Sequence, residues 1–164
     1  MNTIERTFEA TIDEIWDLWT TKDGIESWWG PDGFAVEVRE LDLRTGGVLI
    51  YAMTAVGAAQ IEFMNSAGMP LTTSTQLTYR EVRPKTRLAY TLRADFIAGV
   101  EPYDVATTVA LEERGGHVRL TLTFDSMHDE HWTQMARMGR ESELDKLAMR
   151  CEALRRVGFE DTRR

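Results

Sequence analysis

The spacing of apolar and polar positions predicts that the chain begins with a strand and a helix. Residues 4–10 alternate between apolar and polar side chains, as in an edge strand with one face in the core. The apolar residues from Ile12 to Trp19 then recur at helical spacing, which predicts a helix that buries one face. Thr11 precedes this helix and Glu14 lies three residues later, which is the pattern of a capping box.

Further strands and helices are predicted along the rest of the chain. A second short helix ends at Gly30-Pro31, because proline interrupts a helix. Residues 57–67 break the strand rhythm and predict a helical insertion. One long helix is predicted from about residue 129 to residue 157, with Gly158 as its C-terminal cap. The strands are predicted at residues 35–39, 48–53, 74–81, 87–93, 103–113 and 117–124.

Two local signatures lie between the first helix and the third strand. Trp28-Trp29-Gly30-Pro31 places two large rings where a helix must end. Asp42-Leu43-Arg44-Thr45-Gly46-Gly47 ends in adjacent glycines, and glycine adopts positive φ at low cost. The glycine pair therefore predicts a turn or a bulge before the next strand.

The order of these elements predicts the fold class. The strands follow one another instead of alternating with helices, which indicates an antiparallel sheet and the α+β class. We expect a curved sheet of about six to seven strands around the long C-terminal helix, with two short helices after the first strand. Residues 1–164 are expected to form a single domain, with the helical insertion at about residues 57–69.

Composition excludes several classes of partner. The 164 residues carry a formal net charge of −8, so neither nucleic acid nor an anionic membrane surface is expected as a partner. No apolar run reaches the roughly 18 residues of a membrane-spanning helix. The first residues lack the layout of a signal peptide, and the single cysteine, Cys151, excludes an internal disulfide. These features predict a cytoplasmic location.

Five short motifs occur in order along the chain and resemble those of a known family. They are Phe8-Glu9-Ala10-Thr11, Trp28-Trp29-Gly30-Pro31, Asp42-x-Arg44-x-Gly46-Gly47, Arg83-Pro84-x-x-Arg87-Leu88 and Leu120-Thr121-Leu122-Thr123-Phe124. The chain resembles the bacterial homologues of the C-terminal domain of the heat-shock ATPase activator, from about residue 4 to residue 154. That family lies in the START-like, polyketide cyclase and Bet v allergen superfamily. The resemblance implies a helix-grip fold with a cavity between sheet and helix, and a function only as a class.

The resemblance extends to the long helix, with one departure. Gly139, Leu144 and Leu147 match the family pattern. Arg140 stands where that pattern has a tryptophan, so the aromatic ring of the family is missing at this position. The packing around Arg140 is therefore expected to differ.

One face of the predicted long helix combines small residues with a carboxylate. Ala136, Gly139 and Glu143 lie on the same stripe as Trp132 and Leu147. The small side chains fill little space beneath the sheet, and a buried carboxylate is costly without a partner. Glu143 therefore marks the polar end of a cavity, pairs with a core-facing arginine or tyrosine, or lies at the helix flank.

Three apolar segments outside the predicted strands are candidates for the mouth of a cavity. They are residues 61–69, 95–103 and 127–132, which contain methionine and aromatic side chains. They form a lid over the cavity, or each packs as a separate cluster beneath a loop. The residues expected to contact a ligand are Trp19, Trp28, Trp29, Phe63, Met64, Met69, Tyr90, Phe96, Tyr103, Trp132, Gly139 and Glu143.

Catalytic chemistry has three candidate side chains, His128, Glu143 and Tyr103. An acid and a base that face each other in the cavity would support a cyclase- or hydratase-type reaction. His128-Asp129-Glu130-His131 does not have the spacing of a zinc motif, and Asp129 is explained as a helix N-cap, so no metal is expected. No phosphate-loop or dinucleotide motif occurs, so no cofactor is expected.

Three functions therefore remain open. The first is a protein that binds a small apolar, aromatic or lipid-like ligand between the sheet and the long helix. The second is an enzyme of the cyclase or hydratase type that uses the same cavity. The third is a chaperone-partner or regulatory module, which the resemblance implies. Homodimers are common among domains of this size, and the sequence leaves the oligomeric state open.

Overall fold

The computed structural model describes residues 1–95 and 97–162, except for the side chains of residues 159 and 160. The strands in this part of the chain are β1 (Asn2–Phe8), β2 (Phe34–Leu41), β3 (Val48–Ala55), β4 (Thr72–Arg83), β5 (Arg87–Ala94), β6 (Tyr103–Arg114) and β7 (His117–Phe124). The helices are α1 (Ile12–Thr20), α2 (Lys22–Glu26), α3 (Ala58–Ser66) and α4 (Glu130–Asp161). The strands form one curved antiparallel sheet in the order β1-β7-β6-β5-β4-β3-β2, which confirms the predicted α+β helix-grip fold.

The first two helices connect the opposite edges of the sheet. α1 begins at the predicted capping box, in which the Glu14 amide donates to Thr11 Oγ1 over 3.1 Å. In return, the Thr11 amide donates to the Glu14 carboxylate over 3.3 Å. α1 contacts β6 and β7, and α2 contacts β2. The chain thereby crosses from β1 to β2 and buries the tryptophan-rich face of α1.

The turn before β3 has the backbone that its glycines predict. Gly46 has a φ of 84°, and a Cβ atom on Gly47 would overlap the carbonyl oxygen of Asp42. The Gly46 N–H donates to the Tyr79 carbonyl over 2.8 Å, and the Tyr79 N–H donates to the Gly47 carbonyl over 2.9 Å. The turn therefore docks on β4 and sets where β3 begins.

The long helix α4 packs on the sheet through its middle turns. Leu144, Leu147 and Cys151 are buried, and burial raises the pKa of the Cys151 thiol to about 11. The predicted cap at Gly158 is wrong, because Gly158 does not adopt positive φ and the helix continues through it to Asp161. Although α4 has 32 residues, neither it nor any other helix among the described residues is long and apolar enough to cross a membrane.

α3 occupies most of the segment between β3 and β4. Its Met64 is buried, whereas the neighbouring Phe63 is 60% exposed. The helix packs mainly on β3. It therefore lies at the margin of the sheet, near the strands whose inner side chains line the site described next.

Candidate ligand-binding cavity

A cavity of about 390 Å³ lies between the sheet and the N-terminal half of α4. The sheet contributes Tyr51, Tyr90 and Phe124 to its wall, and the segment after α2 contributes Trp29. We call this space the inner cavity. Most of its other lining is apolar: Pro31, Met53, Leu77, Leu92, Ala94, Val105, Met127, Trp132, Met135, Ala136 and Gly139. This space lies over the helix face that carries Ala136 and Gly139.

Small residues on α4 keep the inner cavity open. Ala136 and Gly139 both line it. A Cβ atom built on Gly139 would have Pro31 Cγ, at 4.0 Å, as its nearest neighbour outside the local helix backbone. A side chain at position 139 would therefore meet free space, and the glycine contributes to the volume of the cavity.

Arg140 is the side chain that connects α4 to the floor of the cavity. Its Nη2 donates a hydrogen bond of 2.9 Å to Oγ1 of Thr107, a residue only 1% exposed. Its guanidinium carbon lies 4.5 Å from the centre of the Phe124 ring, in a cation–π arrangement. Burial raises the pKa of the Tyr90 phenol, and the nearby positive charge of Arg140 opposes this rise. A cation therefore fills the position at which the family pattern has an aromatic ring.

Glu143 lies one helical turn from Gly139 and also lines the cavity. Burial raises the pKa of its carboxyl group to about 7, and the positive charges of Arg140 and Lys146 oppose this rise. Burial also lowers the pKa of Lys146, whose Nζ donates to the Gly30 carbonyl over 3.0 Å. A carboxyl group with this pKa is partly protonated at neutral pH, so it can either donate or accept a hydrogen bond.

Two tyrosines face these charged groups from the sheet. Both Tyr51 and Tyr90 interact electrostatically with Glu143, and burial raises the pKa of each phenol. Their rings lie 6.2 and 6.3 Å from the Trp29 ring, measured between centroids. The cavity thus has one polar corner, built by two charged residues of α4 and two phenols, within an apolar lining.

The structure separates the predicted ligand contacts into several places. Trp29, Tyr90, Trp132, Gly139 and Glu143 line the inner cavity. Six others do not line it: Trp19 and Trp28 pack behind Trp29, Met64 and Met69 line a second space, Phe63 projects outward, and Tyr103 contacts His128. The last predicted contact, Phe96, lies outside the described residues.

Two of the three catalytic candidates form a pair away from Glu143. The Tyr103 hydroxyl lies 2.9 Å from Nδ1 of His128 and accepts a hydrogen bond from the His128 amide over 3.0 Å. The His128 ring is 6.1 Å from the Trp132 ring, whose residue lines the cavity. Tyr103 and His128 therefore lie next to the cavity without lining it, and Glu143 is the one catalytic candidate among the lining residues.

Metal ligation receives no geometric support in the described part of the chain, where no group of three or more His, Cys, Asp or Glu side chains could hold an ion. Asp129 instead caps α4, because its Oδ1 accepts a hydrogen bond of 2.8 Å from the Trp132 amide. Helix capping thus explains Asp129, and Glu130 accepts a hydrogen bond of 2.7 Å from the Gln134 side-chain amide.

The ligand contacts predicted from the sequence include neither Arg140 nor Tyr51, and both line the cavity. Arg140 stood out only as a departure from the family pattern at a position next to Gly139. Tyr51 lies in a strand whose alternation shows which residues share a face, but not which strand lies opposite Glu143. The signal in the sequence that could have identified Arg140 is its position next to Gly139, on the helix whose small residues line the cavity.

The fold and the cavity together define a helix-grip protein, with an antiparallel sheet folded around a long C-terminal helix. The chain belongs to the family described as Activator of Hsp90 ATPase homolog 1-like protein, whose sequence profile matches residues 9–152. No curated protein matches the chain.

Solved structures of similar proteins share this fold. A protein from Chromobacterium violaceum is 22% identical with a TM-score of 0.71, and the match covers 92% of this chain and 96% of that one. The AHSA1 protein from Silicibacter pomeroyi is 19% identical with a TM-score of 0.70, over 94% and 98% of the two chains. An AHSA1-like protein from Aeromonas hydrophila is 19% identical with a TM-score of 0.64, over 93% and 94%. At these identities the likeness describes the fold.

Proposed function

We propose that this protein binds a small, largely apolar molecule in the inner cavity, with a polar group of the ligand oriented by Arg140 and Glu143. The observation that carries the proposal is an apolar space of about 390 Å³ with a single polar corner. Ligand sites typically enclose about 300–1,000 Å³ and combine an apolar lining with a few convergent polar groups. Family membership is consistent with a ligand-binding or regulatory module.

The state of Glu143 supports a ligand with a polar group. Among the described residues, none donates a hydrogen bond to its carboxyl group, although the cations of Arg140 and Lys146 lie near enough to affect its pKa. Glu143 is partly exposed where it lines the cavity, so a ligand hydroxyl or amide can reach its carboxyl group and hydrogen-bond to it. Arg140 is already held by its hydrogen bond to Thr107 and its contact with the Phe124 ring, so it is fixed in position before a ligand enters.

The proposal is tested by titrating the protein with phenylnaphthylamine, an uncharged apolar fluorophore whose emission rises in an apolar environment. We expect saturable binding to the native protein, and at least about tenfold weaker binding to Gly139→Leu, since leucine fills the cavity. Gly158→Leu is the matched control, because Gly158 lies on the same helix with open space around it. Equal binding by all three proteins, or none by the native protein, would overturn the proposal.

An enzyme that uses the same cavity is the second candidate, and Glu143 is the observation that favours it. A general acid or base works best when its pKa lies near the working pH, and the pKa of Glu143 is about 7. The candidate proton partners are the Tyr51 and Tyr90 phenols, which face it from the sheet. For any substrate found, Glu143→Gln should abolish turnover and leave binding within about threefold. Unchanged turnover would reject the role of Glu143.

A further inference from the structure

A second space, larger than the inner cavity, opens on the side of the sheet where β4 and β5 separate. It has a volume of about 580 Å³ and is lined by Met64, Met69, residues 73–76 and 78, Arg80, Thr91, Arg93, Asp95 and Asp104, together with Tyr51, Met53 and Leu92. We call it the outer groove. Three features of the outer groove limit the ligands that it can bind. They are its position at the strand gap, the wall that it shares with the inner cavity, and its polar lining.

The outer groove exists because the two strands pair over only part of their length. Leu77 pairs with Leu92, and beyond this pair β4 continues from Gln76 back to Thr72 next to β3 alone. On the other side, the end of β5 pairs only with β6. The strand edge of residues 72–76 therefore faces a gap, and its backbone donors and acceptors on that side are open to a ligand.

Three side chains separate the outer groove from the inner cavity. Tyr51, Met53 and Leu92 line both spaces. Met53 and Leu92 are only partly buried and pack against the core from its margin. A methionine is flexible and fills irregular gaps, so a partition that contains Met53 can yield to an elongated ligand.

The chemistry of the outer groove differs from that of the inner cavity. Its polar lining consists mainly of hydroxyl and amide side chains. The charged residues balance, with two arginines and two aspartates, and Arg93 Nη1 lies 3.4 Å from Asp104 Oδ1. Arg80 Nε donates to Thr91 Oγ1 over 3.2 Å. Neither sign of charge is in excess, so the groove favours a neutral polar group over an ion.

Several polar side chains of the outer groove are available to a ligand. Ser74 and Gln76 are exposed, and Thr73 and Thr78 are partly exposed. Within the described residues, the side chains of these four make no hydrogen bond to another residue. Hydroxyl and amide groups that can each donate and accept match the hydroxyl groups of a sugar or polyol.

We propose that the outer groove binds the neutral, hydroxyl-rich end of an amphipathic ligand, a sugar or polyol, whose apolar part lies in the inner cavity. This inference rests on the proposed function, because it places the apolar part in the same inner cavity. It names the class of ligand: an apolar chain or ring system that carries an uncharged sugar-like head. Met64 and Met69 supply an apolar side wall against which the carbon faces of such a head pack.

The experiment measures displacement of phenylnaphthylamine by ligands with one apolar chain and different heads. Decanol, decyl maltoside, decyl sulfate and decyltrimethylammonium are compared, with decanol below its solubility limit and the other three below their critical micelle concentrations. We expect decyl maltoside to displace the probe at a concentration about tenfold lower than decanol does, because two or more hydrogen bonds form in the groove. Decyl sulfate and decyltrimethylammonium should each show a smaller improvement over decanol than decyl maltoside does.

The variant Gln76→Leu/Thr78→Val should remove the advantage of decyl maltoside over decanol and leave displacement by decanol unchanged. Thr121→Val on β7 is the matched control, because it makes the same kind of change on a strand at the other side of the sheet. Three results would overturn the inference and leave the proposed function standing. Decanol and decyl maltoside could displace the probe at equal concentrations, or a ligand with a charged head could displace it at a lower concentration than decyl maltoside does. The third result is that decyl maltoside displaces the probe from the variant as much better than decanol as it does from the native protein. Failure of the native protein to bind the probe would instead overturn both.

Discussion

The guanidinium of Arg140 on α4 donates a hydrogen bond of 2.9 Å to the buried hydroxyl of Thr107 on β6. The two residues are 33 positions apart in the chain, so this bond forms only when the helix lies on the sheet. It holds a cation at the floor of an apolar cavity, beside Tyr90 and Phe124. The bond therefore links the stability of the helix–sheet contact to the polar corner of the site.

We expect this bond to contribute measurably to stability. A double-mutant cycle with Arg140→Leu and Thr107→Val should give a coupling of about 1–2 kcal/mol in the free energy of unfolding, because the donor is charged and the acceptor is buried. The measurement is urea unfolding at pH 5, where Glu143, whose pKa is about 7, is neutral. Strictly additive effects of the two substitutions would show that the bond contributes nothing.

Glu143 should make the protein less stable as the pH rises. Its pKa is raised from the ordinary glutamate value of 4.5 to about 7 in the folded protein, so between these values the folded state binds more protons than the unfolded state. The free energy of unfolding therefore falls over this range, by about 3 kcal/mol from this group alone, and levels off above pH 7. The groups facing it are Arg140, Lys146, Tyr51 and Tyr90.

The comparison with Glu143→Gln isolates this effect from all other titrations. Near pH 4.5 the two proteins should have similar free energies of unfolding, because a protonated carboxyl group resembles the amide. At pH 8 the variant should be the more stable by about 3 kcal/mol. Parallel pH profiles for the two proteins would mean that the pKa of Glu143 is not raised.

Arg140 should hold the pKa of Glu143 below the value that burial alone would give. Arg140→Leu removes the stronger of the two opposing electrostatic interactions, so the pKa of Glu143 should rise above about 7, and further than in Lys146→Leu. The measurement is an NMR titration of the side-chain carboxyl carbon. Arg137→Leu on the same helix is the control, since Arg137 pairs with Glu141 instead. A larger rise in the pKa of Glu143 in Lys146→Leu than in Arg140→Leu would show that Lys146 interacts more strongly with Glu143.

Two neighbouring tryptophans offer a test of a buried hydrogen bond. The Trp28 Nε1–H donates to the Leu18 carbonyl over 2.7 Å. The Trp19 Nε1–H, in contrast, is the buried side-chain polar group without a partner among the described residues. Trp28→Phe should therefore lower the free energy of unfolding by at least about 1 kcal/mol more than Trp19→Phe does.

The same pair separates core packing from ligand contact. Neither Trp19 nor Trp28 lines the inner cavity, whereas Trp29 does. Under native conditions, phenylnaphthylamine should bind both phenylalanine variants as it binds the native protein, and Trp29→Ala should weaken the binding. Weaker binding by Trp19→Phe and Trp28→Phe alone would show that these rings reach the ligand. Equal destabilisation by the two phenylalanine substitutions would contradict the role of the Trp28 bond.

The fold was accessible from the sequence because its signals are local. The capping box at Thr11 and Glu14 and the glycine pair at Gly46 and Gly47 each involve residues within a few positions of one another. The order of strands and helices then limits the topology to an antiparallel sheet with a long terminal helix. Helical periodicity also places Gly139 and Glu143 on one face, and both line the inner cavity.

The polar corner and the outer groove could not be predicted from local sequence signals. The contacts of Arg140 are Thr107 and Phe124 on two different strands, and their meeting depends on strand order and on where α4 crosses the sheet. The outer groove depends on the position at which β4 and β5 separate, which the register of their pairing sets. Alternation along one strand carries no information about register with another.

Gly158 shows how a local signal fails, and the same substitution at two glycines tests the explanation. Glycine after a helix predicts a cap, but Gly158 lies within α4 and lacks positive φ, whereas Gly46 has a φ of 84°. A Cβ atom would meet nothing within 4 Å at either position, so only the backbone conformation differs. Gly158→Ala should increase the helical circular dichroism signal and raise the free energy of unfolding, by up to about 1 kcal/mol. Gly46→Ala should lower that free energy by about 1 kcal/mol, because alanine disfavours positive φ. Destabilisation by Gly158→Ala would place the end of α4 at Gly158 after all.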